Sequence, residues 1–200
     1  MSRAGTVYVT FKADLSRYVE HRPAILQWIV NPEAGFGDIG MGLLRAITPW
    51  NQWIMGWGFD IQKGEPQVTT EQVQARLDAF VGEHVADLEI EKISYWYVNQ
   101  TYATHYSVGR VFCGGDAVHR HPPSSGLGSN TCMQDAFNLG WKLAYAVKGW
   151  AKPELLDSYS DERAPVGKQI VARANQSRFD YKYLKDVFGF DQGIRTQAEM

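Results

Sequence analysis

The stretch RVFCGGDAVHRHPPSSGLGSNTCMQDAFNLGWKLAYAVKG, residues 110–149, decides the fold. Val111–Cys113 has the composition of a brief buried strand, after which Gly114 and Gly115 turn the chain and deliver Asp116. Open α/β sheets bind ligands at the carboxyl ends of their strands, and a carboxylate placed there can accept hydrogen bonds from hydroxyl groups. The pattern therefore predicts a ligand site beside Asp116.

A glycine- and proline-rich loop then leads into the strongest predicted helix of the chain. Gly126 and Gly128 bring little side-chain bulk to its start, so its first N–H groups should be uncovered and should attract negative charge. The helix is predicted from Asn130 to near Gly149 because apolar residues recur there at helical spacing. The residues that mark this face are Met133, Ala136, Phe137, Gly140, Leu143, Ala144 and Val147.

Residues 115–130 follow the pattern G-D-A-x-H-x-x-P-P-x-x-G-x-G-x-N, and residues 134–144 continue it as Q-D-A-x-N-L-x-W-K-L-A. This run resembles the second FAD-binding motif of flavin-dependent aromatic-ring monooxygenases, the p-hydroxybenzoate hydroxylase-like family. Within that family it is most similar to the phenol and dichlorophenol hydroxylase branch. The resemblance extends more weakly back to Trp96 and Asn99 and forward through LLDSYSDERAPVGKQIV.

The resemblance implies an enzyme that binds FAD and hydroxylates a phenolic ring with NAD(P)H and O2. Asp116 would bind the ribityl hydroxyls of FAD, and Pro122 and Pro123 would line the face where substrate meets the flavin. A helix N-terminus at the pyrimidine edge of the ring system would stabilise the negative charge of reduced flavin. The residues that would contact the cofactor are Gly115, Asp116, Pro123, Gly126, Gly128, Ser129 and Asn130.

The fold class that follows is mixed α/β, in the α+β sense, with a partial Rossmann-like FAD-binding domain and a substrate-domain β-sheet. Residues 1–95 are expected to form the C-terminal half of the substrate-binding sheet domain and residues 96–177 the C-terminal half of the FAD-binding domain. Residues 178–200 would be a tail or the start of a further region. The family's own G-x-G-x-x-G and its middle D-G motif have no recognisable place, so the chain is expected to begin inside the substrate domain.

GFGDIG, residues 35–40, has the spacing of a dinucleotide-binding turn. Residues 31–34 separate it from the preceding predicted strand, and Pro49 would stop any helix after it, whereas the motif needs a strand directly before it and a helix that packs back. Glycines in the turns of a sheet are the favoured interpretation.

Local patterns predict the remaining elements. Thr69 and Gln72 form a capping-box pattern at the start of a predicted helix. Near the end of the chain, two further helices are predicted, each with a proline near its first turn, where the missing N–H costs nothing. The predicted strands are Val7–Leu15, Ile25–Val30, strands joined by a turn within 40–58, Ile90–Asn99 and a short strand or turn at Tyr102–Tyr106, and the predicted helices are Thr70–Val81, Pro153–Arg163 and Pro165–Ser177.

Composition excludes several function classes. With 20 Lys and Arg against 22 Asp and Glu, the chain has no basic surface for nucleic acid or an anionic membrane. The longest apolar runs are too short to span a bilayer, and two cysteines are too few for a disulfide framework, which favours the cytoplasm. A homodimer is possible.

Some residues have two interpretations. Trp50, Trp53 and Trp57 could contact substrate, but large aromatic residues more often fill cores. His119 and His121 lack a third ligand at metal spacing and are interpreted as loop structure, with no metal expected. For the whole chain, the alternative to a hydroxylase is a non-catalytic remnant that acts only as a folded or interacting module.

Overall fold

A computed structural model describes residues 4–31, 41–180 and 183 of the chain. The chain divides into two compact units after Val98, a few residues past the sequence-based boundary at residue 95. We call the described residues up to Val98 the sheet unit and those from Asn99 onward the helical unit. The predicted mixed α/β class is confirmed, since one unit is a sheet covered by a helix and the other is mainly helical.

The sheet unit contains five strands and two helices, and the helical unit contains four short strands and two long helices. In the sheet unit these are β1 (Ala4–Lys12), α1 (Ser16–Val19), β2 (Leu26–Val30), β3 (Met41–Thr48), β4 (Gln52–Asp60), α2 (Thr70–Val81) and β5 (Glu89–Tyr97). In the helical unit they are β6 (Thr101–Tyr102), β7 (Ser107–Val108), β8 (Val111–Phe112), β9 (His119–Arg120), α3 (Leu127–Val147) and α4 (Asp157–Asp180).

The sheet is antiparallel, with strand order β2-β3-β4-β1-β5. Side chains of one strand point alternately to its two faces, so every second residue of β1 and its partners on β4 share a face. That face is dry and is covered by α2, through Val73, Leu77 and Phe80. The predicted strands of this unit are confirmed, although β1 ends at Lys12 because the chain turns into α1.

The capping box predicted at the start of α2 is present. The Thr69 hydroxyl accepts a hydrogen bond from the Gln72 N–H, and the Gln72 side chain accepts one from the Thr69 N–H. At the other end Gly82 adopts a left-handed φ of 94°, which a glycine permits without strain. The local sequence therefore fixes both ends of this helix.

The tryptophans of β4 belong to the core. Trp53 and Trp57 are buried on the face that packs against α2, and Trp50 packs partly buried against the same cluster. Their large apolar surfaces account for these positions without a ligand. The core interpretation of the three tryptophans therefore applies, and a substrate contact is not needed to explain them.

The predicted break between two helices at Pro165 is wrong. A 3-10 turn, Pro153–Leu156, leads into a single helix, α4, that contains Pro165. Proline removes one backbone hydrogen bond from a helix interior, at a cost of about 3 kcal/mol. Buried side chains continue at helical spacing on both sides of it, including Tyr159, Arg163, Val171 and Ala174, and their packing offsets that cost.

The predicted buried strand at Val111–Cys113 also differs in the structure. β8 pairs antiparallel with β7 in a hairpin of two-residue strands, and Val111 is 66% exposed. The hairpin of β7 and β8 is a sheet of only two strands. The apolar composition of Val111–Cys113 was therefore not enough to bury this strand. The sequence GFGDIG lies outside the described residues.

Candidate functional site

Asp116 lies in a 3-10 turn, Gly115–Ala117, and not directly at a strand end. Gly115 has a φ of 60°, and its carbonyl accepts a hydrogen bond from the Val118 N–H at 2.9 Å. This turn presents the exposed Asp116 side chain outward. The only side-chain donor to its carboxylate within the described residues is the Cys132 thiol, at a long 3.8 Å. Most of its hydrogen-bonding capacity is therefore open to a ligand.

Burial raises the pKa of the Cys132 thiol, and the carboxylates of Asp116 and Asp135 add to the effect. A helix N-terminus would act in the opposite direction by stabilising the thiolate. Here the pKa of the thiol is raised, with burial as the largest cause and the two carboxylates next. Cys132 is therefore a weak hydrogen-bond donor beside Asp116 and is not an activated nucleophile.

Helix α3 begins at Leu127, and no side chain caps its first turn. In an α-helix each N–H pairs with the carbonyl four residues earlier, so the first N–H of α3 to be paired is that of Asn130, with the Gly126 carbonyl. The N–H groups of Leu127, Gly128 and Ser129 come before it and are unpaired. The sequence-based set therefore shifts by one residue, because the helix starts earlier than predicted. Asn130 contributes its side chain, which donates to the Gly126 carbonyl at 3.0 Å.

The two glycines keep the start of α3 accessible. Gly126 has a φ of 61°, and a Cβ built on it meets nothing within 4 Å. A Cβ on Gly128 would meet only the His121 ring, at 3.6 Å. No side chain at Gly126 or Gly128 therefore stands between a ligand and the free N–H groups, whose partial positive charge favours an anionic or electron-rich group.

Pro122 and Pro123 have different environments. Pro122 is buried, whereas Pro123 is exposed and precedes the turn Ser124–Gly126 that leads into α3. The prediction that both prolines line the face where substrate meets the flavin stays a prediction, and Pro123 is the proline whose ring is exposed. His121 Nδ1 lies 2.8 Å from the Pro122 carbonyl and helps to hold this segment.

A buried carboxylate, Asp135 of α3, joins the turn and the two helices. Its Oδ2 accepts from the Gly115 N–H and from His119 Nε2, each at 3.0 Å, and its Oδ1 accepts from Arg163 Nε at 2.7 Å. The side chain of Asp135 is 2% exposed. A buried carboxylate needs such partners, because removing it from water without compensation is costly.

Sequence reasoning missed Asp135 and Arg163 as functional residues. Thr131, Asp135 and Lys142 share one stripe of α3 and are buried, while the apolar face that marks the helix in the sequence is largely exposed. The signal available in the sequence was polar residues spaced by four and seven along a helix. The apolar residues left exposed on or beside α3 are Met133, Phe137, Trp141, Tyr145, Val147 and Trp150.

A depression of about 350 Å³ lies against this exposed face, lined by Met133, Gln134, Phe137, Asn138 and Arg163. None of the sequence-predicted site residues lines it. The site beside Asp116 is instead an open surface formed by the turn and the start of α3. We place the candidate site there because it combines free donors with a free carboxylate, whereas the depression is mainly apolar.

Among the residues that the structure describes, no group of three or more His, Cys, Asp or Glu could hold a metal ion. His119 is instead hydrogen-bonded to Asp135. Within the same described ranges, no helix is both long and apolar enough to cross a membrane.

Residues 1–174 match the family described as FAD binding domain. The chain belongs to this FAD-binding family. The resemblance to flavin-dependent aromatic monooxygenases is confirmed, because the matched relatives carry the names of such enzymes.

Two relatives and one solved structure illustrate the similarity. The chain is 46% identical over 192 residues to 2,4-dichlorophenol 6-monooxygenase of Cupriavidus pinatubonensis. The aligned residues cover 96% of this chain and 32% of that relative. The chain is also 46% identical over 187 residues to phenol 2-monooxygenase of a Pseudomonas species, covering 92% and 30%. The flavin-dependent monooxygenase PieE, solved with FAD and substrate, superposes with a TM-score of 0.81 at 41% identity, covering 95% of this chain and 32% of PieE. The chain therefore spans about a third of the length of these relatives.

Proposed function

We propose that this chain supplies the flavin-contacting part of an FAD-dependent monooxygenase that hydroxylates phenolic rings with NAD(P)H and O2. One observation carries the proposal: the uncapped N-terminus of α3 opens beside the exposed carboxylate of Asp116. The names of the phenol and dichlorophenol monooxygenase relatives support the substrate class.

The chemistry of the donors and acceptors fits FAD. The flavin ring presents carbonyl oxygens and a ring nitrogen that accept hydrogen bonds, and the free N–H groups at Leu127, Gly128 and Ser129 can donate them. The ribityl chain carries hydroxyl groups, for which the Asp116 carboxylate is an acceptor. Bound FAD would supply the redox chemistry, passing electrons from NAD(P)H to O2 for oxygen transfer to the ring.

The residues of the chain would have three tasks. Asp116 would orient the ribityl chain, and the start of α3 would stabilise negative charge on the reduced ring by about 0.3–2 kcal/mol, depending on burial. Pro123, together with Gly126, would leave one face of the flavin open to the substrate. Cys113 and Cys132 are both free thiols, which supports a reducing compartment such as the cytoplasm.

A second candidate is a non-catalytic module that folds or associates without performing the reaction. The apolar residues exposed on α3 favour it, because a large exposed apolar patch marks an interaction surface. A homodimer through this face is one form of such association. Cofactor binding distinguishes the two candidates.

FAD titration of the 200-residue chain tests the proposal. We expect weak but saturable quenching of flavin fluorescence, and we expect the flavin to be lost on gel filtration, because the chain spans about a third of its relatives' length. Asp116→Ala should weaken binding by about 1.5–3 kcal/mol, the range for hydrogen bonds to a charged group.

The control is Asp161→Ala, which removes an exposed carboxylate from α4 of the same unit. It should leave the affinity unchanged. Equal affinities in the unsubstituted chain and in Asp116→Ala would contradict the proposed cofactor contact, and a complete absence of saturable binding would favour the non-catalytic module.

A further inference from the structure

Asp135 is buried behind the turn that carries Asp116, with 2% of its side chain exposed, so it cannot itself contact a ligand on the exposed side of that turn. Its two oxygens face different elements. Oδ1 accepts from Arg163 of α4, and Oδ2 accepts from the Gly115 N–H and from His119 Nε2 of the loop. One carboxylate thus connects a helix pair to the segment on which Asp116 is carried.

The hydrogen bond from the Gly115 N–H to Asp135 fixes the residue that directly precedes Asp116. The Gly115 N–H is fixed at 3.0 Å from Asp135 Oδ2, and Arg120 Nε donates to the Asp116 carbonyl at 3.1 Å. The backbone is therefore held on both sides of the Asp116 side chain. The hydrogen bond from the Val118 N–H to the Gly115 carbonyl closes the turn from within. Within the described residues, the other hydrogen bonds between this segment and the helices are a long one from the Cys132 thiol to Asp116, at 3.8 Å, and one from the Tyr159 hydroxyl to the Cys113 carbonyl, two residues before Gly115.

His119 strengthens the same connection. Its ring is 1% exposed, and its Nδ1 has no partner within the described part of the chain, so the hydrogen bond through Nε2 is the polar contact that holds it. Arg163 supplies the opposite charge that a buried carboxylate requires. Asp135 can therefore remain a strong acceptor for the loop.

We infer that Asp135 is a positioning residue, which fixes the Asp116 turn through Gly115 and His119 in the geometry that receives the cofactor. The inference rests on the proposed function for its purpose, but the anchoring itself is independent of any ligand. Hydrogen bonds to charged groups are roughly twice as strong as neutral ones, so Asp135 should dominate the order of this turn.

Cys132 is a reporter of the turn position. Its thiol is half-buried beside Asp116, and a Cβ built on Gly115 would lie 3.0 Å from its Sγ. If the turn moves away, the thiol becomes accessible to a disulfide reagent. Cys113 is exposed and would also react, so the measurement uses a Cys113→Ser background.

The experiment compares Asp135→Asn with the unsubstituted Cys113→Ser chain, without FAD. Since removing Asp135 also removes one cause of the raised pKa of Cys132, the thiolate fraction is measured by ultraviolet absorbance across pH, and the rate is expressed per thiolate. We expect the rate per thiolate to rise about tenfold or more in Asp135→Asn, from the loss of hydrogen bonds to a charged acceptor.

A matched control separates anchoring from general loosening. Val171→Ala removes buried apolar volume from α4 without touching the turn, and should change the rate per thiolate little at comparable loss of stability. An unchanged rate in Asp135→Asn, or an equal acceleration in Val171→Ala, would overturn the inference.

Two further measurements complete the test. If Asp135→Asn does not fold, amide hydrogen exchange in the unsubstituted chain decides: a protected Gly115 N–H supports the anchor, and exchange at the rate of an open loop overturns it. FAD added to the unsubstituted chain should slow labelling of Cys132. Failure of that protection counts against the proposed function, while the result for Asp135→Asn still decides the positioning role.

Discussion

Gly115 satisfies two constraints at a single residue of the Asp116 turn. Its φ of 60° lies in the left-handed region, which is unfavourable for residues with a Cβ, and a Cβ there would lie 3.0 Å from Cys132 Sγ, a tight contact. Its N–H is also bound to Asp135. Backbone shape, and to a lesser degree packing, therefore favours glycine here before any ligand is considered.

We predict that Gly115→Ala lowers the free energy of unfolding of the helical unit by about 1–3 kcal/mol, from backbone strain and the contact with Cys132. Gly140→Ala is the matched control, because Gly140 lies in α3 with nothing within 4 Å of its Cβ position. That substitution should instead stabilise the helix by about 0.5–1 kcal/mol. Urea unfolding followed by circular dichroism checks both, and a Gly115→Ala chain as stable as Gly140→Ala would contradict the strain.

Single residues also show what the sequence could and could not reveal. The turn at Gly126 before α3 could be predicted from local spacing, whereas the 3-10 turn that carries Asp116 was not predicted, because a strand end was expected there. Asp135 and Arg163 could not, because their meeting depends on how α3 packs against α4, across 28 residues of sequence. The burial of Pro122 could not be predicted for the same reason, since it depends on neighbours that no local pattern specifies.

At the scale of elements, α3 reverses the usual rule for a surface helix. Its buried stripe carries Thr131, Asp135 and Lys142, and the Lys142 ammonium lies 2.8 Å from the Glu162 carboxylate of α4. That ion pair lowers the pKa of Glu162, together with the hydrogen bond from Asn138. Periodicity predicted the existence and length of α3 well. It could not predict which face is covered, because that depends on what packs against it.

We predict that Phe137→Ala changes the free energy of unfolding by less than about 0.5 kcal/mol, as is usual for exposed positions. Phe137 is 77% exposed, whereas Phe11 in the core of the sheet unit is 0% exposed. Phe11→Ala, the matched control, should cost about 3–5 kcal/mol.

Chemical denaturation of each variant measures the two effects, with binding of a hydrophobic fluorescent dye as a second readout. The dye signal should fall in Phe137→Ala, because that variant removes exposed apolar surface. A loss of stability in Phe137→Ala that approaches that of Phe11→Ala would mean that the α3 face is covered in solution.

At the scale of the whole molecule, the two units are stabilised differently. The sheet unit has an extended dry core between the sheet and α2, whereas the apolar core of the helical unit is a small cluster around Tyr106, Val118, Tyr159 and Ala164. Alternation of apolar residues made the sheet predictable from sequence. The helical unit was harder, because buried polar groups, which have no periodic apolar signature, replace much of its core.

The two tyrosines of that small cluster should make the helical unit sensitive to alkali. Burial raises the pKa of Tyr106 and of Tyr159 to about 12 from 10.0, and the nearby Asp135 carboxylate adds to both shifts. A tyrosine with a raised pKa keeps its proton in the folded chain at a pH where the unfolded chain has lost it. Its contribution to stability is therefore complete below pH 10 and is lost as the pH rises toward 12, by about 1–2 kcal/mol for each ring.

We predict that Tyr106→Phe leaves stability at neutral pH nearly unchanged and reduces this alkaline loss. The Tyr106 hydroxyl is buried without a partner in the described part of the chain, so its removal sacrifices no hydrogen bond. Tyr159→Phe is the matched control, because its hydroxyl donates to the Cys113 carbonyl at 2.9 Å, and its removal should cost about 0.5–1.5 kcal/mol at neutral pH. The urea midpoint of unfolding is measured for both variants from pH 7 to pH 11. Amide exchange within residues 99–180 assigns the unfolding to the helical unit. An alkaline loss in Tyr106→Phe as large as in the unsubstituted chain would show that ionisation of Tyr106 does not limit the stability of this unit, and that other groups carry the pH dependence.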